Sequence, residues 1–139
     1  MRRKLQTLGV VLAAALVTGC HFIPDNEIFN NTNQDLSITM ITSVDGRARS
    51  TTEIVKSGRA IFLGVPFKLA IRSGDSIWSY DLITIPSHFY RSIGANKRIA
   101  RLQIEEDGSI YLLLPDAVWP VTKFPDQPVG YPIRAKKAH

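Results

Sequence analysis

The 139-residue chain is 45% hydrophobic and 21% charged, the balance of one globular domain, which excludes both wholesale disorder and two full domains. Its single cysteine excludes an intramolecular disulfide framework and a four-cysteine zinc site. Three of the 17 basic residues are Arg2, Arg3 and Lys4, which leaves 14 against 12 acidic residues from Cys20 onward, a net of +2 within the total of +5; so mild and scattered a surplus excludes the electrostatic footprint of a nucleic-acid binder.

Residues 1–20 read MRRKLQTLGVVLAAALVTGC, a positive start followed by an uncharged apolar run from Leu8 to Val17. The run falls well short of the roughly 20 apolar residues that cross a bilayer, and His21, Pro24 and Asp25 end it, so the segment has the length of a secretory signal helix. Its last four residues are Val17-Thr18-Gly19-Cys20. They resemble the lipobox of bacterial lipoproteins, in which an aliphatic and two small residues precede a cysteine. The small residues let a peptidase approach the backbone, and the cysteine supplies a nucleophilic sulfur. The resemblance covers residues 1–21. It implies a signal peptide over residues 1–19, cleavage between Gly19 and Cys20, diacylglycerol on the Cys20 sulfur and an acyl chain on its new amino group. No other cofactor is expected. One acyl chain holds a protein only marginally, at about 0.8 kcal/mol per buried methylene, so two or three chains make attachment effectively permanent. In enteric-type lipoproteins an aspartate after the cysteine resembles an inner-membrane retention signal. His21 stands there instead, which favours the outer membrane with the domain facing the periplasm.

Residues 20–26, the cysteine and HFIPDN, are expected to form a short tether close to the lipid. From residue 27 to residue 115, strand-like runs alternate with turn signals. Leu36, Ile38 and Met40 alternate with Ser37, Thr39 and Ile41, the period of a half-buried strand. Asp45-Gly46 marks a hairpin turn, Thr51 to Val55 a return strand, and Ser57-Gly58 a turn into Ala60 to Leu63. Phe67, Leu69 and Ile71 are expected on one face, opposite Lys68 and Arg72. After the turn Ser73-Gly74-Asp75, the run Ile77 to Ile85 places Trp78, Tyr80 and Leu82 on one face and Ile77, Ile83 and Ile85 on the other. One helical turn is expected around His88 to Ser92. A last hairpin joins Ile99–Glu105 to Ser109–Leu114 through Asp107-Gly108, and the run from Ile110 to Leu114, apolar on both faces, reads as a central strand. The fold expected is all-β: a small antiparallel sandwich of seven to eight strands, immunoglobulin-like or transthyretin-like, with a small closed barrel as the alternative.

The tail, residues 116–139, changes character. Pro115, Pro120, Pro125, Pro128 and Pro132 are five of the eight prolines in the chain, with Trp119, Phe124 and Tyr131 between them. Such density excludes a central strand and predicts an extended segment pinned to the sandwich by its aromatics. The basic end, Arg134 to His139, is expected to fray.

Little in the domain points to catalysis or to metal. His88 is its only histidine, His21 and His139 lie outside it, and no HxH, HxxxH or CxxC spacing occurs, so neither a metal site nor a catalytic set is expected. Glu105-Glu106-Asp107 reads as a solvated hairpin tip and Asp81 as one half of a cross-strand ion pair. Asn31 and its neighbours read as a polar turn. Arg91, Lys97, Arg98 and Arg101 read as an exposed face, with attraction to anionic headgroups as the functional alternative. The function expected is a membrane-anchored, non-enzymatic module that binds a protein partner in an envelope assembly. The alternatives are a periplasmic hydrolase acting through Asp81, His88 or Glu105, and a ligand-binding or inhibitor module using exposed aromatics.

Overall fold

The computed structural model describes residues 23–82 and 84–137. The alternation at Leu36, Ile38 and Met40 buries these three and leaves Ser37, Thr39 and Ile41 half-buried on the other face. Ten strands occur among the described residues rather than seven to eight: β1 (Ile23–Asn30), β2 (Leu36–Val44), β3 (Arg47–Val55), β4 (Ala60–Gly64), β5 (Lys68–Ser73), β6 (Ser76–Asp81), β7 (Tyr90–Ile93), β8 (Lys97–Ile104), β9 (Ile110–Leu112) and β10 (Lys136–Lys137).

They form two sheets. The first has the order β4-β1-β8, with β7 and then β9 sharing the far side of β8; the second has the order β10-β6-β5-β2-β3. Ile28, Leu102, Ile104, Ile110 and Leu112 of the first sheet meet Leu36, Ile38, Leu69, Ile71 and Tyr80 of the second in one buried core. Burying aliphatic side chains of this size contributes about 1.5–3 kcal/mol each. The sandwich is not purely antiparallel. β1 runs parallel to β8 through eight residue pairs, from Ile23–Lys97 to Asn30–Ile104. Between them the chain crosses to the second sheet and returns twice, more than the long connection that a parallel pair requires.

β1 also corrects the expected tether, because residues 23–26 form its first half. Its core-facing positions include Asn26 and Asn30, which are polar and yet buried. Backbone carbonyls hold both amides: Asn26 Nδ2 donates to Gly64 O at 3.0 Å, and Asn30 Nδ2 to Gln34 O at 2.8 Å and Val55 O at 3.1 Å. Four further expectations change. Phe67 precedes β5 and is 45% exposed, and Ile77 is exposed on the open outer face of the second sheet. The turn near His88 is a 3-10 turn, Ser87–Phe89, after which the chain extends into β7. Ile110–Leu114 is not a central strand: β9 is three residues long and pairs with β8 alone among the named strands.

The tail belongs to the domain. Tyr131 and Ile133 are buried in the core, Ile133 and Ile110 exchange two backbone hydrogen bonds of 2.9 Å, and β10 pairs with β6. One segment therefore joins β9 of the first sheet to β6 of the second, and the basic end is paired as far as Lys137 rather than frayed. No helix among the described residues is long and apolar enough to cross a membrane. The signal segment, Cys20 with its expected lipid, His21, Ile83 and His139 lie outside the described residues.

Candidate functional site

Side chains alternate along a strand, so one set of residues faces away from the core on the first sheet. Register places them in rows: Ile23, Lys97 and Ile93; Asp25, Ile99 and Arg91; Glu27 and Arg101 with Phe62 across; then Phe29, Gln103 and Tyr111. The tail crosses the last two rows as a strap. Trp119 stacks on Phe29, with ring centroids 5.4 Å apart and planes 11° from parallel. The Arg101 guanidinium lies 4.4 Å from the Trp119 ring centroid, and its Nη1 donates to the Ala117 carbonyl. Gln103 treats Val121 as a neighbouring strand would: its Nε2 donates to Val121 O at 2.8 Å and its Oε1 accepts from Val121 N at 2.9 Å. Tyr111 stacks on Phe124 at 3.9 Å. Beyond the strap, Gln127 grips the outer edge of β9, accepting from Leu112 N and donating to Leu112 O, each at 2.9 Å.

The first two rows, and Phe62 at the β4 end of the third, lie outside these strap contacts, with Ile99 the buried member of the second row. Ile23 is 66% exposed, Phe62 51% and Ile93 37%. Lys97 links them: its Nζ lies 3.2 Å from Asp25 Oδ2 and 5.2 Å from the Phe62 ring centroid. Glu27 sits where strap and open strip meet, 3.8 Å from Arg101. Burial raises its carboxyl pKa above the ordinary value, and Asp25 pushes the same way; the Arg101 charge opposes this without prevailing. The strip is a small amphipathic patch at the end of the sheet where the chain enters. Two residues separate Cys20 from Ile23, three Cα-to-Cα steps with a reach of at most about 11 Å.

The residues singled out from sequence do not converge. Asp81 ends β6 on the second sheet and pairs with Lys136 at 3.2 Å. His88 is exposed and lies against Phe89, ring centroids 4.4 Å apart. Glu105 accepts from Asn31 Nδ2 at 3.0 and 3.1 Å, and Glu106 from Asn33 N. The acidic tip is thus a clamp on the loop after β1, not a freely solvated turn. The basic patch is divided: Arg98 alternates to the opposite face of β8 from Lys97 and Arg101. Among the described residues, no three His, Cys, Asp or Glu side chains gather as a metal would require. Gln103 and Gln127 were missed from sequence. A glutamine between Leu102 and Ile104, and another beside Pro128, are the only signals they give. No family model, curated protein or solved structure matches the chain.

Proposed function

We propose that the protein is a lipoprotein anchored to the outer membrane through acyl chains on Cys20, whose periplasm-facing sandwich is a non-enzymatic binding module for an envelope protein. One observation carries the reading. Val17-Thr18-Gly19-Cys20 is followed within three residues by the first strand, so lipidation at Cys20 holds the Ile23–Phe62–Ile93 strip against the membrane surface, where a membrane-bound partner can reach it. Asp81, His88 and Glu105 each serve a structural contact elsewhere, which supports a binding role over hydrolysis. For the fold we favour the transthyretin-like type. Hairpins β2–β3 and β5–β6 both stay within one sheet and each turns its first strand, β2 or β5, to the inside, whereas the A–B and D–E hairpins of an immunoglobulin A-B-E-D sheet turn their second strands, B and E, to the inside.

Cys20→Ser tests the anchor. The variant is expected to fold but to leave the membrane fraction, whereas the mature wild-type chain begins at Cys20 and carries the mass of two or three acyl chains. A mature N-terminus elsewhere, or an unmodified cysteine, ends the reading. A pull-down from solubilised envelopes with Phe62→Ala against wild type tests the binding role, and no partner lost with that substitution counts against it.

A further inference from the structure

The second sheet ends at β3, and from Arg47 to Ile54 this strand is exposed on both faces. Among the described residues no strand pairs with its outer edge, and a long open edge is a template for another strand. The turn before it shows which backbone groups face outward. Asp45 and Gly46 both have positive φ, 52° and 73°, the two-residue type I′ hairpin. Such a turn closes on a hydrogen-bonded pair, and pair types then alternate along the ladder. Val44–Arg47, Thr42–Arg49, Met40–Thr51 and Ile38–Glu53 are the hydrogen-bonded pairs. Ala48, Ser50, Thr52 and Ile54 therefore turn their amides and carbonyls to the open edge. The Thr39 and Thr52 hydroxyls, 2.8 Å apart, fit this assignment, because side chains approach most closely in the other kind of pair.

From Ala48 to Ile54 the strand is its own complement about Thr51: Arg49 balances Glu53, Ser50 balances Thr52, and Ala48 balances Ile54. We propose that β3 pairs antiparallel with β3 of a second copy of this chain, about a two-fold axis at Thr51. Arg49 then meets Glu53 of the second copy on both sides of the axis, and neither has an ion-pair partner within the chain among the described residues. Ile54, 69% exposed, lies beside Ala48 of the second copy, and Ser50 faces Thr52. Moving the axis to Arg49 or to Glu53 sets like charges face to face, which opposes pairing. An isologous contact of this kind closes at two copies, because it uses the β3 edge of both.

At the axis the two Thr51 residues form a non-hydrogen-bonded pair, with Cα atoms about 4.5 Å apart, within disulfide reach. Thr51→Cys in the full chain, oxidised mildly in the membrane, is expected to give a covalent dimer. Thr52→Cys, which faces Ser50, is expected to give little. Adding Glu53→Arg to Thr51→Cys lowers the dimer yield by about three- to tenfold, and adding Arg49→Glu as well restores it. Equal yields at the two positions, or a yield indifferent to Glu53→Arg, overturn the pairing. The unsubstituted chain is run alongside. A disulfide dimer there reports an unlipidated Cys20 and bears on the anchor alone.

Discussion

Gly108 is where the tail, the last hairpin and β6 meet, and a single methyl group tests whether that meeting holds the domain together. Its φ is +81°, and a Cβ built there would lie 3.0 Å from Ala135 Cβ, 3.1 Å from Trp78 Cδ2 and 3.1 Å from the Tyr80 hydroxyl. The same hydroxyl donates to the Gly108 carbonyl at 2.7 Å, so Tyr80 cannot withdraw without losing a buried hydrogen bond. Gly58 has a similar φ of +73° but open space around its missing Cβ. Gly58→Ala therefore carries only the left-handed backbone cost, about 1 kcal/mol. Gly108→Ala carries that cost plus overpacking of about 1–3 kcal/mol, about 2–4 kcal/mol altogether. For a domain of this size each kilocalorie lowers Tm by roughly 4 °C. Urea and thermal unfolding of the two variants, followed by tryptophan fluorescence, measure the difference directly. Equal losses from the two substitutions would refute the claim that Ala135 and β6 are packed onto Gly108.

Gln127→Leu removes the clamp on Leu112 and leaves a buried amide and carbonyl unpaired, a loss of about 2–4 kcal/mol by urea denaturation; stability unchanged within error would mean that the tail does not seal the β9 edge. Glu27 predicts the sign of a pH effect. Burial raises its folded pKa above the unfolded value, so its contribution is present at low pH and is lost as pH rises through the folded pKa. The thermal midpoint of the wild type is expected to gain on that of Glu27→Gln as pH falls from 7 toward 5. A wild type that loses ground on acidification would show that Arg101 dominates instead.

The legible parts of the fold were those fixed by local chemistry. Leu36, Ile38 and Met40 declare a strand by period, and Asp45-Gly46 and Asp107-Gly108 declare their turns because glycine takes positive φ at little cost. β1 was illegible because Asn26 and Asn30 occupy core-facing positions, and their burial is made tolerable in part by the distant carbonyls of Gly64 and Val55. The parallel register of β1 on β8 is set by long-range pairing, for which no neighbouring residue gives a sign. At the candidate site, exposed Phe62 and the charges of Lys97 and Arg101 were visible as residue types. Lys97 facing Asp25 depends on the parallel pairing of β1 with β8, and Arg101 lying under Trp119 on a strap that returns from the far end of the chain. The aromatics among the prolines announced that the tail would be pinned; the two glutamines that stand in for missing strands did not.

The two partners of β1 bear on how the domain carries a mechanical load. Tension delivered through the residues before Ile23 runs along a strand that is hydrogen-bonded to β4 on one side and to β8 on the other. These bonds lie across the line of force. They resist together in shear instead of opening one after another as a peeled hairpin does. The strand nearest the chain's entry is thus the one best placed to bear a pull, whereas β3, bonded on one side only, and the two-residue β10 would part at far smaller forces.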